Sequence, residues 1–177
     1  DAAQFAVVEK LAALAKDLAQ SPVRKPNGFA KLFTKKSPPP RGLYIQGEVG
    51  RGKTMLMDLF FECVEGWPKK RIHFHAFMQD IHKARAHQKT IELIADGIAQ
   101  DAKLLCLDEM QIVDIADAMI IGRLFEAMHQ RGVVFVTTAN LPPDGLYKDG
   151  LNRDLFLPFI AKLKQELDVI SLDSPKD

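Results

Sequence analysis

The sequence predicts an α/β fold, a three-layer sandwich with a mainly parallel, five-stranded sheet. Three observations carry that expectation. Residues 47–54 read G-x-x-x-x-G-K-T and stand between an apolar run that suits a strand and a run that suits a helix, the context a phosphate-binding loop requires. Residues 103–107 and 133–138 are largely apolar runs of the kind found in central parallel strands covered on both faces. Helix-spaced segments separate the strands, and the connections are long enough for parallel crossovers.

A chain of 177 residues, 47% of them hydrophobic, can bury a sizeable core in one domain with a small appendage. The division falls near residue 40: residues 1–40 hold a helix and a basic, proline-rich connector, and residues 41–177 hold the P-loop core. A net charge of +1 gives no global field toward nucleic acid or an anionic membrane. No run is long and apolar enough to span a bilayer, and no signal-peptide pattern stands at Asp1. Cys63 and Cys106 lack metal-ligand spacing and read as reduced core residues.

In chain order, residues 1–20 place Phe5, Val8, Leu11, Leu14 and Leu18 on one face at helical spacing, an amphipathic helix packed on the body. Residues 21–40 mix Pro22, Pro26 and Pro38-Pro39-Pro40 with Lys25, Lys31, Lys35 and Lys36, a solvated connector with room for a short helix over 29–33. The first strand leads into the loop, and residues 53–64 continue as a helix with Met55, Leu56, Leu59, Phe60 and Cys63 as apolar contacts. Gly66-Trp67-Pro68 stops it. Residues 71–77 alternate as a strand with His73 and His75 on one face. No Cys, Asp or Glu lies close enough to complete a metal set, so hydrogen-bonded histidines near the sheet's edge are expected.

Helices over 78–88 and 89–100 follow without a clear turn signal between them, with His82, Lys83, Arg85 and His87 on exposed faces. The strand over 103–107 ends in Asp108-Glu109. A helix over 114–130 opens on Asp114 and Asp117, which suit a helix N-terminus, and stops at Gly132. The strand over 133–138 releases Ala139-Asn140 at its carboxyl end. A short helix over 144–148, a helix over 153–166 capped by Asn152, and a strand over 168–172 complete the chain.

Ligands of open parallel sheets sit at the carboxyl ends of the strands. The loop, Asp108-Glu109 and Asn140 all leave strands at that end. Gly47, Glu48, Val49, Gly50, Arg51, Gly52, Lys53 and Thr54 form the candidate phosphate cradle, in which inward-pointing N–H groups and a helix N-terminus meet one anion. Lys53 would reach the β- and γ-phosphates, and Thr54 with Asp108 would hold a magnesium ion. Glu109, beside the metal acid, can accept a proton from the attacking water or align it, which favours hydrolysis over phosphorylation of a small molecule. Asn140 can hydrogen-bond that water or the γ-phosphate. Arg153 can project into a neighbouring subunit's nucleotide or simply face solvent. Arg51 faces outward in most such loops. No guanine-selective motif is present.

These motifs together resemble a family. GLYIQGEVGRGKTMLMDLFF, RIHFHAFM, LLCLDEMQIVDIADAM and NLPPDGLYKDGLNRDLFLPFI look like the ZapE-type AAA+ ATPases, bacterial cell-division proteins whose mitochondrial relatives are the AFG-like, or lactation-elevated, ATPases. The resemblance covers about residues 40–172. It implies an AAA+ P-loop fold and hydrolysis of ATP with Mg2+. Residues 47–54 match Walker A, Asp108 and Glu109 match Walker B, Asn140 matches sensor 1, and Arg153 matches the arginine finger of a homo-oligomer. It also implies FtsZ or other division-ring components as partners and a cytoplasmic location at the division site, or a mitochondrial one in a eukaryote. Met110 and Ala139 stand where the family often has Phe and Ser, changes that touch packing rather than charge. The family continues into a helical lid with a sensor-2 arginine; this sequence stops at Asp177, so the lid is missing or truncated, and weak nucleotide binding is expected. Alternatives are a helicase-loader-like ATPase on single-stranded DNA, a mitochondrial quality-control ATPase and a nucleotide switch that does not hydrolyse.

Overall fold

The structure is a computed structural model that describes residues 2–21 and 38–173. Its elements in chain order are α1 (Ala2–Gln20), β1 (Gly42–Gln46), α2 (Lys53–Cys63), β2 (Lys69–His73), α3 (Phe74–Ala86), α4 (Ile91–Asp101), β3 (Leu104–Asp108), α5 (Ile115–Gln130), β4 (Val134–Ala139), α6 (Leu157–Glu166) and β5 (Leu167–Ser171). Two short 3-10 helices, Pro143–Gly145 and Arg153–Leu155, lie between β4 and α6. The lysines of the expected connector and the short helix over 29–33 fall outside the described residues.

The strands form one sheet in the order β2-β3-β4-β1-β5, and all four pairings are parallel. Successive side chains of a strand point to opposite faces, and here the alternation sorts the core into two layers. Tyr44, Leu105, Leu107 and Phe135 face one cluster with the apolar sides of α3, α4, α5 and α6. Leu43, Ile45, Leu104, Cys106, Val134 and Val136 face a second cluster with α1 and α2. The three-layer α/β sandwich expected from the sequence is the fold.

Several local expectations shift. On α1 the buried residues are Val7, Leu11, Leu14 and Leu18, while Phe5 and Val8 are exposed, so the packed face is rotated from the expected one. Trp67 helps fix it there by donating its indole N–H to the Leu18 carbonyl at 2.8 Å. On α2 the buried positions are Lys53, Leu56, Met57 and Phe60, spaced from the lysine by three, four and seven; Met55, Leu59 and Cys63 are exposed. The loop fixes the phase of this helix by aiming Lys53 inward, and hydrophobicity alone does not reveal that. Cys106 is the buried cysteine, and both are free thiols.

The expected strand over 71–77 runs instead from Lys69 to His73, and Phe74 begins α3. The alternation was misleading because β2 is an edge strand with only partial burial, whereas Phe74, Phe77, Met78 and Ile81 form a helical stripe in the core. His73 and His75 therefore do not share a strand face; the His75 ring lies 3.1 Å from the Gln79 amide one turn on. The α3–α4 junction does carry a signal: Thr90 caps α4, its hydroxyl accepting the Leu93 N–H at 3.1 Å. His82 is half-buried beside Asp117 at 2.6 Å rather than free on a surface. Asn152 has φ 55 and makes no side-chain cap, and the helix expected from Arg153 is a 3-10 turn followed by α6 with Pro158 in its first turn.

Candidate active site

Gly47 follows β1 directly, and its N–H donates to the Ala139 carbonyl at the end of β4 at 3.1 Å, which ties the loop's start to the neighbouring strand. Gly50 and Gly52 have φ of 84 and 85, values that strain any L side chain. They turn the chain so that Gly52 caps α2 and its carbonyl accepts the Leu56 N–H at 3.1 Å. The result is a backbone nest with a helix N-terminus behind it. Lys53 spans the nest: its ammonium donates to the Gly47 and Glu48 carbonyls at 2.5 and 2.8 Å. Burial lowers its pKa, and the nearby carboxylates of Asp173 and Glu109 oppose that shift. Thr54 is exposed in the first turn of α2.

The loop's outer flank is held from two sides. Asp173, beyond β5, accepts the Glu48 N–H at 2.9 Å and lies 3.8 Å from the Arg51 guanidinium, which is also 3.9 Å from Glu48. From α1, the Gln4 amide donates to the Arg51 carbonyl at 3.2 Å. Arg51 is thereby engaged along the flank. Val49 is exposed.

Asp108 ends β3 and is 3% exposed. One carboxylate oxygen accepts the Arg71 Nε–H at 2.7 Å, and the other lies 3.4 Å from the Thr138 hydroxyl. Glu109, exposed, leaves the strand with φ 55, a backbone conformation that needs support in a non-glycine residue. Thr138 provides it: its hydroxyl accepts the Glu109 N–H at 2.9 Å and its carbonyl accepts the Met110 N–H at 2.7 Å. Asn140 lines a cleft of about 420 Å³ together with Glu109, Met110, Leu141, Tyr147 and Lys148. The floor of that cleft is steadied by Tyr44, fully buried, whose phenol donates to the Leu141 carbonyl at 2.8 Å; burial raises the phenol's pKa well above its ordinary value.

Arg153 stands apart from the loop. Its guanidinium donates to the Asp144 carbonyl at 2.7 Å, and it borders a second hollow with Lys148 and Asp149. Its Nε is buried with no hydrogen-bond partner among the described residues. The structure therefore brings together the loop, Asp108, Glu109 and Asn140 along the carboxyl edge of the sheet, and leaves Arg153 beside that edge, on the Asp144 carbonyl.

The donor set fits the ligands the sequence suggests. A Thr hydroxyl and a buried carboxylate are hard oxygen ligands of the kind magnesium takes, and loop amides with a buried ammonium suit a polyphosphate. Thr138, Arg71 and Asp173 support the site without any local sequence motif that marks them. Thr138 carried a faint signal, as one of two hydroxyls, Thr137 and Thr138, that close an apolar run just before Ala139-Asn140. Arg71 reads from the sequence as the start of a strand and as part of the basic cluster Lys69-Lys70-Arg71, and Asp173 lies far from the loop in sequence.

Comparison with known proteins adds to this geometry. The family model of the AFG1-like ATPases matches residues 1–177. The chain is similar to lactation elevated protein 1 homolog B of Danio rerio, 48% identical over an alignment of 155 residues that covers 78% of this chain and 31% of that protein. It is also similar to the cell division protein ZapE of Escherichia coli K12, 44% identical over 153 residues, 84% of this chain and 41% of that protein. The chain thus spans well under half the length of these curated relatives. Among solved structures, domain III of the Thermotoga maritima replication initiation protein DnaA matches with a TM-score of 0.69 at 17% identity, covering 99% of this chain and 65% of that one. AMPPCP-bound DnaA from Aquifex aeolicus matches with a TM-score of 0.57 at 15% identity, covering 75% and 41%. At these identities the structural likeness concerns the fold, that of P-loop AAA+ domains.

Proposed function

The chain belongs to the AFG1-like ATPase family, and from that premise we propose that it binds ATP with Mg2+ and hydrolyses it to drive or regulate a protein assembly. The observation that carries the reading is the meeting of three groups at one edge of the sheet: Lys53 spanning the loop, a buried Asp108, and Glu109 held beside it by Thr138. Lys53 and the loop amides hold the phosphates, and Gly50 and Gly52 keep the amides turned toward them. Thr54 and Asp108 hold the magnesium ion, which when bound neutralises phosphate charge. Glu109 orients the attacking water and takes its proton, and Asn140 hydrogen-bonds the water or the γ-phosphate. Arg153 acts on a neighbouring protomer's nucleotide in a homo-oligomer.

We infer a division-ring component such as FtsZ as the client, on the strength of the relative named as a cell division protein, with action at the division site in the cytoplasm. In a eukaryote the resemblance to the AFG-like ATPases implies a mitochondrial client instead. Single-stranded DNA is the less favoured partner. In the basic triplet Lys69-Lys70-Arg71, Lys69 donates to the Phe61 and Val64 carbonyls at the end of α2, and Arg71 pairs with carboxylates, which leaves Lys70 as its exposed member. The test is Mg-ATP turnover with and without FtsZ polymers. The reading requires turnover that is lost in Lys53→Ala and altered by the polymers; turnover indifferent to Lys53→Ala would overturn it.

A further inference from the structure

One charged group at the magnesium corner has no part in that chemistry. Arg71 lies on β2 in register with Cys106 of β3, whose side chain belongs to the layer of α1 and α2. Its side chain therefore points toward α2. There its guanidinium pairs with Asp58 of α2 through one terminal nitrogen and with Asp108 of β3 through Nε at 2.7 Å. The Arg71 side chain is 20% exposed and that of Asp108 only 4%. The Asp108 end of this bridge is buried while the Asp58 side chain is 54% exposed, and the planar fork of an arginine suits two carboxylates at fixed angles where an ammonium does not.

The two carboxylates matter because of where they stand. Asp58 follows Thr54 by one helical turn, so a restraint on Asp58 is a restraint on the part of α2 that carries the Thr54 hydroxyl. Asp108 is the other candidate magnesium residue. Arg71 thus links the helix bearing one ligand to the strand bearing the other. It also occupies one oxygen of Asp108, while the second oxygen has only the 3.4 Å approach of the Thr138 hydroxyl.

We propose that Arg71 is a positioning residue for the metal: it fixes the Asp108 carboxylate so that its second oxygen faces the magnesium ion, and it sets the spacing between Asp108 and Thr54. This rests on the ATPase reading above. Groups that orient metal ligands from behind typically change metal affinity tenfold or more when removed. The consequence is specific to magnesium and leaves the phosphate loop's own grip untouched.

The experiment is a titration of magnesium into the protein with a fluorescent ATP analogue, read by binding rather than turnover, with folding checked by circular dichroism. Arg71→Lys keeps the charge but loses the fork, and should raise the half-saturating magnesium concentration about tenfold while leaving affinity in EDTA within about twofold. Asp58→Asn should give a smaller rise in the same direction. In an Asp108→Asn background, Arg71→Lys should have no further effect. An unchanged magnesium requirement in folded Arg71→Lys, an equal loss of affinity in EDTA, or an additive effect on top of Asp108→Asn would each overturn the assignment. A wild-type protein that binds the analogue without regard to magnesium would overturn the ATPase reading and this assignment with it, whereas a magnesium-dependent wild type with an unshifted Arg71→Lys overturns only the role of Arg71.

Discussion

At Lys53 a single side chain carries a stability cost and a function together. Its pKa is lowered from the ordinary 10.5, first by burial, with the Asp173 and Glu109 carboxylates opposing. Between the lowered value and 10.5 the unfolded chain binds more protons than the folded one, so the contribution of this group to stability rises with pH across that window. The ammonium is the form that attracts phosphate. Nucleotide affinity should therefore fall across the same window, before the pH at which an unburied lysine would titrate. Fluorescent-nucleotide binding followed from neutral pH to about 10.5 checks the sign; an affinity that stays level would contradict it. Thr138 is the second residue on which the site depends. Thr138→Val removes the acceptor for the Glu109 N–H and should cost about 1–3 kcal/mol in denaturant unfolding. It should also lower turnover more than nucleotide affinity, because it frees the left-handed backbone of Glu109 rather than the loop.

At the scale of elements, the two helices of the α1–α2 layer show what hydrophobic spacing can and cannot tell. The α1 pattern announced an amphipathic helix, but two phases of it were compatible with the sequence, and packing against Trp67, α2 and the sheet chose Val7, Leu11, Leu14 and Leu18. Leu11→Ala should therefore cost about 2–5 kcal/mol in chemical denaturation, whereas Phe5→Ala, at a position 64% exposed, should stay within about 0.5 kcal/mol. Equal costs would mean that α1 packs in the other phase. The strand misread over 71–77 failed for a related reason. Ile72 of β2 and Phe74 of α3 pack on the same core cluster, so core-facing residues continue across the junction and alternation does not mark where the strand ends. The central strands were legible because burial on both faces favours apolar residues, with the polar Asp108, Thr137 and Thr138 confined to their carboxyl-terminal parts, and β3 and β4 lie within a residue of where their apolar runs predicted.

At the scale of the whole molecule, the phosphate loop and Asp108-Glu109 were legible because their chemistry demands fixed residue types at fixed spacing. Their supports were not, because Thr138, Arg71 and Asp173 act across strands and across the chain. No local pattern records that β1 lies between β4 and β5, and that order is what brings Asn140 and Asp173 to the loop. Arg153 lies off the loop, on the Asp144 carbonyl, and its proposed action on a neighbouring protomer can be tested by mixing variants. Mixing Glu109→Gln with Arg153→Ala protein, each inactive alone, should restore part of the turnover if sites are shared between protomers; a mixture as inactive as its components would mean that Arg153 does not act across protomers. The central claim is hydrolysis by this set of residues, and Glu109→Gln tests it most directly in paired measurements of Mg-ATP binding and single-turnover hydrolysis. The account predicts binding within a few-fold of wild type and hydrolysis slower by at least about a hundredfold; a Glu109→Gln protein that hydrolyses ATP at the wild-type rate would contradict it.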